Sequence, residues 1–228
     1  MFGPPAGMAQ AGADLAQELL GVLKQPAVVH PGPDATFTGQ VRKSAAAEAI
    51  IDAVQDADGL PMVVVCAGPL TNVADALLVD PSIAARFKLA WVGGSSGGNE
   101  NEEYNYFTDP TAADFVLGNG ELDIDQFPLE AYRDVVISVA ELDDALRAGG
   151  AVGAWLWEHF HGLVVPDFIK FGPLWCLGDS APLVVTGLAE TGSTFVEVSD
   201  APRRRMCQSV DTRLVVSDFL AQLRLQAR

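Results

Sequence analysis

The sequence predicts an α/β fold: a mostly parallel sheet flanked by helices, related to the Rossmann arrangement. Three observations carry that expectation. Strand-like and helix-like runs alternate along the chain, the pattern of parallel strands joined by crossover helices. Pro61 to Ala67 form an unbroken apolar run rich in β-branched residues, as in a strand buried on both faces. Hydrophobic residues make up 49% of the 228 residues, enough to bury a sizeable core.

Met1 to Gln10 are rich in Gly and Pro and specify little. Leu15, Leu19, Leu20 and Leu23 share one face and predict an amphipathic helix over Ala13 to Leu23. Ala27 to Val29 read as a short strand, and His30 to Gln40, with two prolines, as a loop. Ser44 to Ala57 and Asn72 to Leu78 read as helices on either side of the Pro61–Ala67 strand. Asp80-Pro81 and Asp109-Pro110 each set a capping carboxylate before a proline at the first helical position. The second opens a helix over Thr111 to Leu117 that ends at Gly118. Lys88 to Val92 and Asp134 to Val139 are further strands, with a polar loop from Gly93 to Asn105. Thr194 to Val198 and the segment near Leu214 are the last strand candidates, and Ser217 to Gln226 is a closing helix. No repeat or linker divides the chain.

A net charge of −16 repels nucleic acid over most of the surface. Arg203, Arg204 and Arg205 are the only basic cluster, and three adjacent arginines read more simply as a solvated loop. Asp123, Asp125, Asp143 and Asp144 likewise read as solvated surface. Cys66, Cys176 and Cys207 lack metal-ligand spacing and argue for a reducing compartment. No apolar stretch is long enough to span a bilayer, so the expected location is cytoplasmic, with no membrane partner.

Ligands of doubly wound sheets bind where strands end and loops begin. Three loops qualify: Gly68-Pro69-Leu70-Thr71-Asn72; Gly93 to Asn99 with Glu102-Glu103-Tyr104-Asn105; and Leu177-Gly178-Asp179-Ser180. Each alone is weak. The glycine loop lacks the lysine of a P-loop and the spacing of a dinucleotide fingerprint, and Thr71, Asn72 and Asp179, taken alone, read more simply as helix caps. Together, in this order and strand context, GPLTN, GG…GN…EEYN…DPTAADFV and GDSAPLV resemble the inosine–uridine-preferring nucleoside hydrolase family. The resemblance runs from about Ala11 to the C-terminus, which sets the expected domain at 11–228 after a poorly specified segment 1–10.

The resemblance implies hydrolysis of the N-glycosidic bond of a ribonucleoside through an oxocarbenium-like transition state, with Ca²⁺ gripping the ribose diol and a water. Carried over by position, Thr71 (through its carbonyl) and Asp179 would be metal ligands, while Asn99, Glu103 and Asn105 would hold the ribose. Trp175 suits base stacking and core packing equally; His159 and His161, beside Trp155 and Trp157, read as part of an ordinary amphipathic helix. Two departures stand out. The aspartate-rich turn DxDxxxDD that supplies the family's base and most of its metal ligands has no counterpart, so the resemblance implies that the first strand, its helix and the second strand are missing. Gly178 stands where many members place a histidine. The chain is therefore expected to be inactive as given, short of strand pairing and prone to association, possible homo-oligomers included. The alternatives are a fragment of a longer enzyme and a non-catalytic ligand-binding or regulatory module; a dinucleotide oxidoreductase lacks its fingerprint.

Overall fold

The computed structural model describes residues 7–98, 102–162 and 172–228. Its centre is a five-stranded sheet. β1 (Met62–Cys66), β2 (Phe87–Val92), β3 (Asp123–Phe127) and β7 (Ala201–Ser209) run parallel in that order, and β6 (Thr194–Val198) closes the far edge antiparallel to β7. Alternation along β2 sends Leu89 and Trp91 to one face, Ala90 and Val92 to the other. The first face is covered by α2 (Ala45–Gln55), α3 (Thr71–Val79) and α5 (Pro110–Leu117), through Val54, Leu77, Val116 and the neighbouring Ile83. The second face packs Phe127 against Ala181, Val184 and Val215, the last two from α9 (Leu183–Thr186) and α10 (Thr212–Gln226).

A smaller unit joins β4 (Val136–Ser138) antiparallel to β5 (Leu174–Cys176), with α7 (Val139–Ala148) and α8 (Gly150–Gly162) beside it. Its core combines Ile137, Leu142, Leu146 and Leu223 with Trp157, Phe160 and Trp175. The long helix α1 (Met8–Leu23) buries none of its residues; Glu18 accepts a hydrogen bond from the Trp155 indole at 2.6 Å. Two short helices, α4 (Tyr104–Thr108) and α6 (Leu129–Tyr132), complete the set.

The capping signals are where the sequence puts them. Asp80 accepts from the Ser82 amide, and Asp109 from the Ala112 amide, each ahead of a proline at the start of its helix. Other expectations need correction. Ala27 to Val29 form no strand: no neighbour pairs with them, and Val28 is 77% exposed. The Asp134–Val139 strand shrinks to Val136–Ser138 and lies outside the main sheet, with Val139 already helical. Leu214 belongs to α10, whose cap Asp211 accepts its amide, so the closing helix starts five residues earlier than its apolar spacing suggests. β1 is an edge strand, with Val65 49% exposed, not one buried on both faces.

The largest correction concerns charge. Arg203, Arg204 and Arg205 lie in β7, an interior strand, and Asp123 and Asp125 lie in β3 beside it. Asp125 is 1% exposed and binds Arg205 Nε at 2.5 Å and Lys88 Nζ at 3.0 Å; Arg203 binds Asp123 at 3.0 Å. Polarity hid both strands from the periodicity argument. The ladder hydrogen bonds and matched charges of neighbouring strands supply what apolar side chains do elsewhere.

Candidate active site

β1, β2 and β3 end side by side: Cys66 is in register with Trp91, and Val92 with Phe127. The loops that leave these ends, and the turn after β5, carry the polar groups of interest.

Glu103 organises the loop after β2. It is 1% exposed, and its carboxylate accepts four hydrogen bonds. Oε2 receives the Gly94 and Tyr106 amides at 2.8 Å each; Oε1 receives the Asn105 amide at 3.1 Å and the Tyr132 hydroxyl at 3.0 Å. Three of these donors are backbone groups, so Glu103 caps α4 and ties it to the glycine turn. Gly94 has φ +74°, and a Cβ there would lie 2.5 Å from Gln126 Nε2, so this turn requires glycine. The Asn105 side-chain Nδ2 donates to the Val92 carbonyl at 2.8 Å, pinning α4 to the end of β2. Glu130, in α6, accepts the Ser95 hydroxyl at 2.6 Å and the Ser96 amide at 2.9 Å. Burial opposes ionisation of Glu130, but these donors outweigh it and hold its carboxyl down at about 2.

Thr71 opens α3 just after β1, and its hydroxyl donates to Asp109 Oδ2 at 2.6 Å. The same oxygen accepts the Phe37 amide at 2.7 Å, and Asp109 Oδ1 accepts the Ala112 amide at 3.1 Å. Asp109 is thus the clamp that joins the 30–40 loop, α3 and α5. Beside it, Asn72 Oδ1 is buried without a hydrogen-bond partner. A pocket of about 400 Å³ lies here, lined by His30, Pro33, Asp34, Pro69, Thr71 and Asn72 among others.

A second pocket of about 400 Å³ is formed by Tyr132, Trp175 and the turn Cys176 to Ser180. Asp179, on a 3₁₀ turn (Gly178–Ser180), is solvent-exposed on the wall of this pocket, and no hydrogen bond or ion pair engages its carboxylate among the described residues. Burial raises its pKa, and the negative charge of Glu103 adds to the effect. The Asp179 charge is also felt at Cys66, whose thiol burial pushes up to about 11, and at Tyr132, which is raised by burial first and by Glu103 second. These mutual effects place Asp179, Glu103, Tyr132 and Cys66 in one neighbourhood. Trp175 has one edge in the core, 4.8 Å from the Phe160 ring centroid, while it also lines the Asp179 pocket.

Of the residues singled out from sequence, Glu103 and Asp179 come together with Tyr132, and Trp175 lines the same pocket. Thr71 and Asn105 sit at the adjoining strand ends. Asn99 lies outside the described residues. Tyr132 and Glu130 were not anticipated, since both follow an unrecognised polar strand, β3. His159 stacks on Trp155 at 3.8 Å, as expected of side chains packed along a helix.

A Ca²⁺ ion needs six to eight oxygen ligands, with several carboxylates among them. Among the described residues that line these strand ends, Asp179 has a free carboxylate, whereas Glu103 and Asp109 are committed to amides and hydroxyls. Among the described residues no group of three or more His, Cys, Asp or Glu is placed to hold a metal ion. The residues described therefore do not fit a complete Ca²⁺ site.

The profile of the inosine-uridine preferring nucleoside hydrolases matches residues 7–213. A rice protein (Oryza sativa subsp. japonica) named "Probable uridine nucleosidase 2" is 40% identical over 93 residues, 39% of this chain and 27% of its own length. The pyrimidine-specific ribonucleoside hydrolase RihB of Shigella sonnei is 29% identical over 140 residues, 60% of this chain and 44% of its own length. The chain thus spans less than half the length of either relative. In fold, it superposes on the purine-preferring ribonucleoside hydrolase of Gardnerella vaginalis with a TM-score of 0.68 at 18% identity, over 96% of this chain and 86% of that one. An inosine-guanosine nucleoside hydrolase gives 0.72 at 15% identity, over 95% and 85%. No helix among the described residues is long and apolar enough to cross a membrane.

Proposed function

This chain belongs to the inosine-uridine preferring nucleoside hydrolase family, and we propose that it binds a ribonucleoside at the ends of β1 to β3 but does not turn it over by itself. The observation that carries this reading is Asp179. It is an exposed carboxylate on the wall of a pocket of about 400 Å³, beside the Trp175 and Tyr132 rings, with no hydrogen-bond or ion-pair partner among the described residues. The residue is solvent-accessible, so its open carboxylate can meet a ligand directly, and charged groups set in a cleft with a shifted pKa concentrate at sites that take one.

The aromatic pair suits the face of a nucleobase, and Asp179 suits the sugar hydroxyls as an acceptor. A ribose hydroxyl reaching Glu103 would displace the Tyr132 hydroxyl from Oε1, the one side-chain donor on that carboxylate among the described residues. Asn105 and the loop residue Asn99 would then act through the placement of that loop. Two negative groups near the anomeric carbon favour a cationic transition state. Turnover also needs an activated water. No group of three or more His, Cys, Asp or Glu is placed to hold a metal ion and its water among the described residues. Thr71 and Asp179 remain the positions from which Ca²⁺ would be held if further carboxylates were supplied.

The test has two parts. Calorimetry with inosine and with uridine should show binding that Asp179→Asn weakens at least about tenfold, the scale of about 1.4 kcal/mol. Base release with Ca²⁺ present should stay near the uncatalysed rate. Wild-type-like affinity in the variant would remove Asp179 from the site; turnover at an ordinary enzymatic rate would refute the second half.

A further inference from the structure

We propose that the chain has a second binding site, for a small oxyanion, between β7 and the turn that follows α5, away from the candidate active site. It is built around Arg204. Three consecutive arginines alternate across β7, so Arg203 and Arg205 face the carboxylates of β3 while Arg204 points to the opposite face of the sheet. Arg203 is neutralised by Asp123 at 3.0 Å; Arg205 is neutralised by Asp125 and Glu190, each at 2.5 Å. Arg204 has no such partner among the described residues. Its Nε is buried and makes no hydrogen bond.

The register sets its surroundings. Arg204 pairs with Ile124 of β3, so its side chain lies along the apolar layer under α5. There it lines a pocket of about 150 Å³ whose walls include Leu117, Leu122 and Ile124. That is well under the roughly 300–1,000 Å³ typical of pockets for larger organic ligands. Asn119 lines the same pocket; its Oδ1 accepts the Glu121 amide at 2.9 Å, which leaves its NH₂ group as a second donor. A Cβ on Gly120 would meet nothing within 4 Å, so the turn leaves the approach open. Asp200 lines the pocket too, exposed, and makes no ion pair with Arg204 among the described residues.

A guanidinium is a planar fork whose N–H groups two oxygens of one anion can engage together, and that of Arg204 lines the pocket with its Nε unpaired among the described residues. Burial also disfavours its charge, a cost that a bound anion would remove. The apolar walls and the small volume select a compact anion, a carboxylate or a phosphate, over a nucleoside. Phosphate and carboxylate share this chemistry, and the experiment separates them.

The test uses the whole chain labelled with ¹⁵N and follows the arginine Nε–H signals during titration with inorganic phosphate and, separately, acetate. Sodium chloride at matched ionic strength is the reference. The Arg204 signal is assigned by its loss in Arg204→Lys. The expected result is a saturable shift of that signal with at least one oxyanion and none with chloride, with Asn119→Ala weakening the affinity severalfold. A response to phosphate alone, or to acetate alone, names the anion. If Arg204→Lys proves unfolded, assignment through the backbone amide of Arg204 in the wild type serves instead. An Arg204 signal that does not move with either oxyanion, or that moves equally with chloride, would overturn the proposal. The result is independent of nucleoside binding at Asp179.

Discussion

Replacing Asp125 by Asn should be among the most damaging isosteric changes in the chain. The carboxylate is 1% exposed and accepts from Lys88 Nζ at 3.0 Å, Arg205 Nε at 2.5 Å and Arg205 NH2 at 2.9 Å. Asn keeps the volume, removes the charge and places an NH₂ group among donors. Breaking a buried ion pair from one side costs about 3–5 kcal/mol, against a total margin of about 5–15 kcal/mol for a domain. Arg205 retains Glu190 at 2.5 Å, and Lys88 is partly exposed, so the lower end of that range is expected. With about 2–4 °C per kcal/mol for a chain of this size, the unfolding midpoint should fall by roughly 6–12 °C. The sign with pH is also set. Burial raises the Asp125 pKa, but the Arg205 and Lys88 contacts outweigh it and leave it depressed. A depressed folded-state pKa gives stability that is present above the unfolded value of about 3.9 and is lost as pH falls through the folded value. The gap between wild type and variant should therefore be full at about pH 6 and should narrow below about pH 4. Circular dichroism melts across that range measure it. Equal midpoints at neutral pH would show that the network contributes nothing net, and a gap that grows in acid would show that its sign is wrong.

Three further outcomes follow from the site. Glu130→Gln should loosen the 93–98 loop, seen as faster amide exchange at Ser96; because Glu130 is held at about 2, the wild-type protection should persist well below the ordinary carboxylate range and fade only as pH approaches that value. Asp109→Ala removes a helix cap and strands the Phe37 amide, so chemical denaturation should report a loss of roughly 2–5 kcal/mol. Gly94→Ala forces a left-handed residue against Gln126 Nε2; it should lower stability by at least about 1–2 kcal/mol and weaken nucleoside binding, whereas an unchanged melt would mean the turn relaxes freely.

The amino-acid sequence by itself determined the fold class, the capped starts of the Asp80 and Asp109 segments, and the loops in which Thr71, Glu103, Asn105 and Asp179 lie. These are local properties: a proline at the first helical position, an acceptor before it, and an apolar run of strand length act within a few residues. The sequence also carried the family resemblance. Only the tertiary structure decided that β3 and β7 are strands, because Asp123, Asp125 and the three arginines read as solvated until they face one another across adjacent strands. It also decided that Ala27 to Val29 are not a strand, since pairing needs a neighbour, which no propensity provides. The hydrogen bonding of the site's side chains was decided at the same level. Glu103 is saturated by backbone amides and Tyr132, while Asp179 has no partner among the described residues; that difference depends on which donors the folded chain brings within hydrogen-bonding distance, and such long-range encounters leave no periodic trace in the sequence.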